Sequence, residues 1–499
     1  MSEQAAAGSE PGADGAGRWG RAVTAGVLAA LVGIGLWVRL AYINQPVRRD
    51  EAVSVLHYAV LPVHEIVTDY SNTNNHILHN LLVHGLMRVL GLKAWVVRLP
   101  ALASGLALIV AAYLVGREVH GCAAGLLAAG LMASNSLIVE FSTNARGHIT
   151  VLVLAALAAW QAHRIVRRGR GWVLFVALNV IGFLFVPVML YPFGGIALWL
   201  LASGLLSSVP GTSRRAFAAR LAAACTAVVL VTFICYLPAL LTYGTRPFAD
   251  NLYTQVGFWP TLETLLDLPV VMWRLWHRDV PTTLALVVAG LAGLGMLVPI
   301  ADWKPGRLPM LLPMVLFPVA FTLVKPILVF VPNWLFVLLF YGLSAAIGLA
   351  ALLSALRRPR IILAVAAGLA LAMAGVEGMR VVRSGEVALS KLTGRFHGAE
   401  AMALYLKETL RPKDFVVISD HGDSQVRFYA HQHGLTVDRF GRQWPLEDTD
   451  RFFLLLAAGD EPNAALISRD LRGRPRVVRR EGDGVLYEVE KWSTVGGEE

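Results

Sequence analysis

The amino-acid sequence predicts an all-α polytopic membrane protein of about eleven transmembrane helices, followed by a small C-terminal α/β domain. Three observations lead there. Apolar residues make up 56% of the 499-residue chain and mean hydropathy is +0.58, whereas soluble domains sit near 45–50% apolar. Charged residues are 16%, against about 25% in soluble chains. Apolar runs of about 17–23 residues recur, each long enough to cross a hydrocarbon core of about 30 Å.

The runs fall at Ala22–Ile43, Trp95–Val115, Cys122–Val139, His148–His163, Trp172–Tyr191, Phe193–Val209, Leu221–Tyr243, Pro281–Ile300, Leu308–Val324, Asn333–Leu356 and Ile361–Val376. Two long connections, 44–94 and 244–280, separate them. Residues 1–17, rich in Ala, Gly, Ser and acidic side chains, read as a disordered cytoplasmic tail. Arg18 and Arg21 then precede an apolar run with no evident cleavage site, the pattern of an uncleaved signal anchor. The membrane domain thus spans 18–380 and the external domain 381–499.

The net charge of +10 admits nucleic-acid binding as one reading. The placement of the charges excludes it. They cluster in alternate connections, at Arg18/Arg21, Arg117, Arg164/Arg167/Arg168/Arg170, Arg214/Arg215/Arg220, Lys304/Arg307 and Arg357/Arg358/Arg360. By the positive-inside rule these are cytoplasmic segments. The N-terminus is then cytoplasmic, and an odd number of crossings puts the C-terminal domain on the periplasmic, extracytoplasmic side of a bacterial inner membrane. Cys122, Cys225 and Cys235 lie in or beside apolar runs and imply no disulfide framework.

The C-terminal domain alternates helix and strand. Helices are expected at Ala399–Leu410, Ser424–His433 and Ala464–Leu471, and strands at Phe415–Ser419 and Phe452–Ala457. A hairpin of Arg476–Arg480 and Val485–Val489 closes it around Gly482-Asp483-Gly484. His421, His431 and His433 read as surface histidines.

Four polar clusters could carry chemistry. Arg48-Arg49-Asp50-Glu51 follows the first helix. At the membrane edge a carboxylate can serve as general base toward a hydroxyl, and arginine can hold a phosphate; a solvated charge cluster is the bland alternative. Asp69–Asn80 includes Asn74, Asn75, His76 and His79, side chains able to bond sugar hydroxyls, or alternatively the capped start of an interfacial helix. Glu140–His148 is a short external link carrying Asn144 and Arg146. Lys325-Pro326 precedes Pro332-Asn333-Trp334, and its cation suits either a phosphate or interfacial anchoring.

Taken in order, three of these segments resemble the GT-C superfamily of polyprenyl-phosphate-sugar-dependent glycosyltransferases, which includes protein O-mannosyltransferases, ArnT and the RgtA/B/C/D-like proteins. They are Asp50-Glu51 in a loop continuing to Asn74-Asn75-His76; Trp95-Val-Val-Arg98-Leu-Pro100-Ala-Leu-Ala-Ser-Gly105; and Phe141-Ser-Thr-Asn144-Ala-Arg146-Gly-His148. The resemblance covers about Ala22–Leu356. Two positions depart from it: Asn144 stands where many relatives carry an acid, and Asn333-Trp334 where relatives often carry Arg-Tyr.

The resemblance implies a GT-C fold and transfer of a sugar, with inversion, from a polyprenyl-phosphate donor to a glycan, lipid or protein hydroxyl. Asp50 would be the base, and Glu51 would orient the site or contact the donor. Arg49, Arg146 and Lys325 would converge on the leaving phosphate, while Asn75, His76, His79 and Asn144 would line the substrate site. No cofactor is implied with certainty, and a divalent metal is left open. A lipid-linked glycan ligase or polymerase is the rival enzyme. A non-enzymatic transporter is the rival from another class, but it would place its polar residues at mid-membrane.

Overall fold

The computed structural model describes residues 11–71, 74–206, 209–245, 256–301, 308–327, 329–418, 422–435, 440–441, 451–457 and 473–491. The first helix, α1, runs Pro11–Leu40. It therefore starts inside the segment expected to be disordered: the apolar run supplies the helical nucleus, and extending a formed helix is far easier than starting one. The expected disorder of residues 1–10 lies outside the described residues.

The first long connection is built of short helices: α2 (Arg49–Ser54), continuing as a π-turn at Val55–Ala59, α3 (Val63–Thr68) and α4 (Ile77–Leu90). Next come α5 (Ala94–His120), α6 (Cys122–Ser134), α7 (Ser136–Ser142) and α8 (His148–Arg168). The run expected to be one helix from Cys122 is bent by 65° between α6 and α7. Asn135 causes the bend. Its backbone leaves the helix at φ −55°, ψ 126°, and its side chain accepts the N–H groups of Leu137 and Ile138, capping a new helix on a new axis.

Helices follow at Trp172–Phe185, Leu190–Leu206, Arg214–Tyr243, Thr282–Ala301, Leu311–Val324, Leu335–Leu353 and Pro359–Ser384. Seven helices among the described residues are long and apolar enough to cross a membrane, and the bent pair makes an eighth. Trp172–Phe185, Thr282–Val298 and Leu311–Val324 are shorter apolar helices at the three remaining expected positions. The fifth expected run stops at Phe185, six residues short of Tyr191. Pro187, which has no N–H and opens a 3-10 turn, separates it from the next helix. The second long connection holds an unforeseen helix, Phe258–Trp276. Expected charges at Lys304 and Arg307 lie outside the described residues.

Small residues permit the closest helix contacts. A Cβ on Gly295 would come within 1.8 Å of the Ser344 carbonyl, and one on Gly348 within 2.0 Å of the Leu291 carbonyl. Only glycine allows Thr282–Ala301 and Leu335–Leu353 to touch backbone to backbone there.

The C-terminal domain is a five-stranded mixed sheet in the order β2-β1-β3-β5-β4. Its strands are β1 (Phe415–Ile418), β2 (Phe440–Gly441), β3 (Arg451–Ala457), β4 (Gly473–Glu481) and β5 (Gly484–Lys491). β1 pairs in parallel with β2 and β3, β3 is antiparallel to β5, and β4–β5 is the expected hairpin. Helices Ala399–Thr409 and Asp423–Gln432 pack together beside it. The two-residue β2 was not anticipated; the expected helix at Ala464–Leu471, and His421, lie outside the described residues. The domain does not hang free of the membrane part. Phe396, Met402, Val426 and Phe428 share one apolar cluster with Val47, Ala52, Val55 and Ala145 of the first and third polar segments.

Candidate active site

Asp50 and Glu51 lie in the first turn of α2, and the fold gives them opposite environments. Glu51 is fully buried. Its Oε1 accepts from Arg98 Nε at 2.8 Å and from the Ala145 N–H at 2.7 Å; its Oε2 accepts from Arg98 Nη2 at 2.7 Å and from the Arg48 N–H at 2.9 Å. Burial alone would raise this carboxyl, but the charge and hydrogen bonds of Arg98 and the two backbone donors outweigh it, holding it below the usual carboxylate range. Arg98 also donates to the carbonyls of Ile43, Gln45 and Pro46. One buried ion pair thus ties together all three segments that carry the family resemblance. All four lone-pair positions of Glu51 are taken by these donors, an arrangement suited to the orienting role of the two that the resemblance implies.

Asp50, by contrast, keeps 30% of its side chain exposed. Arg146 Nη1 lies 2.5 Å from Asp50 Oδ2, and Arg146 Nη2 donates to Asn74 Oδ1 at 2.9 Å. With both groups in direct contact, no sugar ring fits between them while the pair is closed.

The other expected site residues divide. Arg49 is exposed beside Asp50. Lys325 is also exposed, at the end of Leu311–Val324, and makes no hydrogen bond or ion pair with Asp50 or Arg146. Of the three expected cations, Arg146 contacts Asp50 directly and Arg49 adjoins it in sequence; the helix that ends at Lys325 packs on Leu190–Leu206 and Leu335–Leu353.

Asn75, His76, His79 and Asn144 are buried; Asn75, His76 and Asn144 make side-chain hydrogen bonds, whereas neither ring nitrogen of His79 has a hydrogen-bond partner among the described residues. Asn75 donates to the carbonyls of Ile66 and Asp69 and accepts from Asn80, which in turn accepts from Ser54. Burial, and then the Arg146 charge, push His76 well below the usual histidine range, so a neutral ring accepts the Gly147 N–H on Nδ1 at 3.0 Å. Burial lowers His79 to about 4. Asn144 donates to the Thr393 hydroxyl at 3.1 Å.

Several of these side chains have partners that the sequence does not reveal. Besides Arg98, the buried Arg48 donates to the carbonyls of Ser390 and Val387 and faces Glu140 at 3.4 Å, and Glu140 also binds Arg278 at 2.9 Å. Beside this network Arg278, Asp279, Arg380 and Arg383 line a cavity of about 380 Å³. An arginine inside an apolar run is a functional signal by default, and Arg98 carried it. Among the described residues no three His, Cys, Asp or Glu side chains converge as metal ligands.

Residues 74–238 match the family model described as dolichyl-phosphate-mannose-protein mannosyltransferase. No curated protein sequence matches the chain. In fold it is similar to the crystal structure of ArnT from Cupriavidus metallidurans in the apo state (TM-score 0.63, 14% identity, 95% of this chain and 99% of that one). The same protein bound to undecaprenyl phosphate gives a TM-score of 0.61 at 13% identity, with the same 95% and 99% coverage. The archaeal oligosaccharyltransferase AglB from Archaeoglobus fulgidus, in complex with an inhibitory peptide and a dolichol-phosphate, gives 0.51 at 12% identity over 94% of this chain and 74% of that one. The fold is the GT-C fold.

Proposed function

We propose that the chain is a membrane glycosyltransferase of the GT-C superfamily that moves a sugar from a polyprenyl-phosphate donor to an acceptor hydroxyl at the outer face of a bacterial inner membrane, with inversion; the family match over residues 74–238 and the ArnT-like fold support this. The observation that carries the reading is the split pair of acids: a sealed Glu51 on Arg98 beneath a part-exposed Asp50 on Arg146. The undecaprenyl phosphate bound by ArnT supports a lipid-phosphate donor.

In this reading the donor phosphate competes for the Arg146 guanidinium and frees the Asp50 carboxylate next to the acceptor. Asp50 takes the hydroxyl proton. The acceptor oxygen bonds to the anomeric carbon from the face opposite the phosphate, and the C–O bond to phosphate breaks with its electron pair going to the phosphate oxygen. Arg146, with Arg49 and Lys325 as additional cations, stabilises the charge that grows there. The buried Asn75, His76, His79 and Asn144 shape the loop behind these groups. Glycan, lipid and protein hydroxyls are the acceptor classes, and a divalent cation is tested by adding and chelating it.

The purified protein, incubated with a panel of polyprenyl-phosphate sugars, should release lipid phosphate detectable by mass spectrometry. Asp50→Asn should abolish release while remaining folded and inserted. Near-wild-type turnover by that variant would remove Asp50 as the base.

A further inference from the structure

We propose that the linker joining the last membrane helix to the C-terminal domain is a structural part of the acidic site, and that Thr393 and Gly394 are positioning residues for Asp50. The proposal rests on the reading of Asp50 as the base.

The first backbone N–H groups of a helix have no partner within it. In α2 two of them are satisfied from far along the chain: the Arg49 N–H donates to the Gly394 carbonyl at 2.9 Å, and the Asp50 N–H to the Thr393 carbonyl at 3.3 Å. The backbone of Asp50 is therefore held by the linker and not by its own loop. Thr393, 2% exposed, adds a side-chain connection. Its hydroxyl accepts from Asn144 Nδ2 at 3.1 Å and from Arg48 Nη1 at 3.5 Å, which joins the segment carrying Arg146 to the segment carrying Asp50. Arg48 extends the connection through the Val387 and Ser390 carbonyls.

The approach is close enough to demand a particular residue. Gly394 has φ +76°, and a Cβ there would come within 2.6 Å of the Arg49 Cβ. Both the left-handed backbone and the missing side chain are required. From the domain itself, the Tyr429 hydroxyl accepts the Val47 N–H at 2.9 Å, just ahead of the acidic pair. Asn144 also gains an explanation here. It stands where many relatives have an acid, and its amide is a donor to Thr393; a carboxylate, which only accepts, could meet that hydroxyl only by taking its proton. The linker can thus transmit the docking of the domain to the position of one carboxylate.

The test compares Thr393→Val, Thr393→Ser and Gly394→Ala in the full-length protein, with Asp50→Asn alongside. Thr393→Val should lower kcat about tenfold or more, since small misplacements of a reacting group cost up to about a hundredfold. Donor KM and melting temperature should stay close to wild type, and Thr393→Ser should recover kcat. Gly394→Ala should lower kcat at least as much. Hydrogen exchange of the Arg49 and Asp50 amides should speed up in Thr393→Val and return in Thr393→Ser; this readout needs no turnover. Unchanged exchange, a kcat within twofold of wild type, or a loss of activity matched by a loss of melting temperature would each overturn the proposal. If Asp50→Asn is inactive while Thr393→Val is normal, the linker proposal alone fails. If Asp50→Asn turns over normally, the base assignment fails first.

Discussion

Replacing Glu51 with Gln tests whether this carboxylate holds the loop or touches a substrate. The side chain keeps its shape, but one of its two acceptor oxygens becomes an NH2 donor. Either orientation puts that donor against two others: Arg98 Nε with the Ala145 N–H, or Arg98 Nη2 with the Arg48 N–H. Two buried donors lose their acceptor, at about 1–3 kcal/mol each, giving about 2–6 kcal/mol. Breaking a buried ion pair by removing one partner costs about 3–5 kcal/mol, so the two routes agree. Unfolding in detergent, followed by heat or by SDS, should show Glu51→Gln destabilised on that scale, with Arg98→Met similar. The double variant has no buried unpaired charge and should fall short of the sum by about 2 kcal/mol, within the range of coupling seen for direct contacts. Strict additivity would refute the reasoning. So would a Glu51→Gln protein of wild-type stability that has lost activity, because that pattern belongs to a substrate contact.

Arg146→Ala should lower kcat by about 10²–10³-fold, the scale for losing one preorganised group facing developing charge; melting should change little, because the Asp50 it releases is partly exposed. Single-turnover kinetics check this, and a near-normal rate would separate Arg146 from the chemistry. Burial lowers His79 to about 4 from 6.5, so the unfolded chain binds a proton before the folded one does. Its share of stability is full above pH 6.5 and is lost as pH falls toward 4, on the order of 2 kcal/mol between pH 7 and pH 5. The depressed Glu51 carboxyl adds a loss of the same sign at lower pH. Thermal unfolding should show the decline, and His79→Leu should flatten its upper part. A topology reporter fused at the C-terminus should behave as external, and cytoplasmic activity there would overturn the orientation.

Much of the bundle was legible because apolar runs of crossing length have few alternatives. The breaks were less legible. Asn135 and Pro187 are single residues inside apolar stretches, and only the direction of the following helix shows that each ends a helix. At the site, the motifs located Asp50, Glu51 and Arg146 but not who pairs with whom. At Asn75 and His76 residue type alone leaves two readings: amides and imidazoles suit sugar hydroxyls and backbone groups equally, and in the structure both side chains bond backbone groups. The Arg48–Glu140–Arg278 network and the Thr393 linker carry no local signature, because each contact joins residues about ninety to three hundred and forty positions apart.

Two adjacent carboxylates in one helical turn would ordinarily compete for the same cation and the same proton. Here the helical turn points them in different directions, and the surroundings finish the division. Glu51 meets four donors, two of them backbone groups that cannot move away, and is fixed in the ionised state within a closed shell. Asp50 meets the Arg146 guanidinium and solvent. The sealed pair is also what makes the open one useful: Glu51 and Arg98 pin the segments of Asp50 and Arg146 against each other, while the linker at Thr393 closes the fourth side. In the proposed mechanism a base held this way needs little rearrangement when its arginine turns to a phosphate, since the exchange moves one side chain and leaves the backbone hydrogen bonds of the site in place.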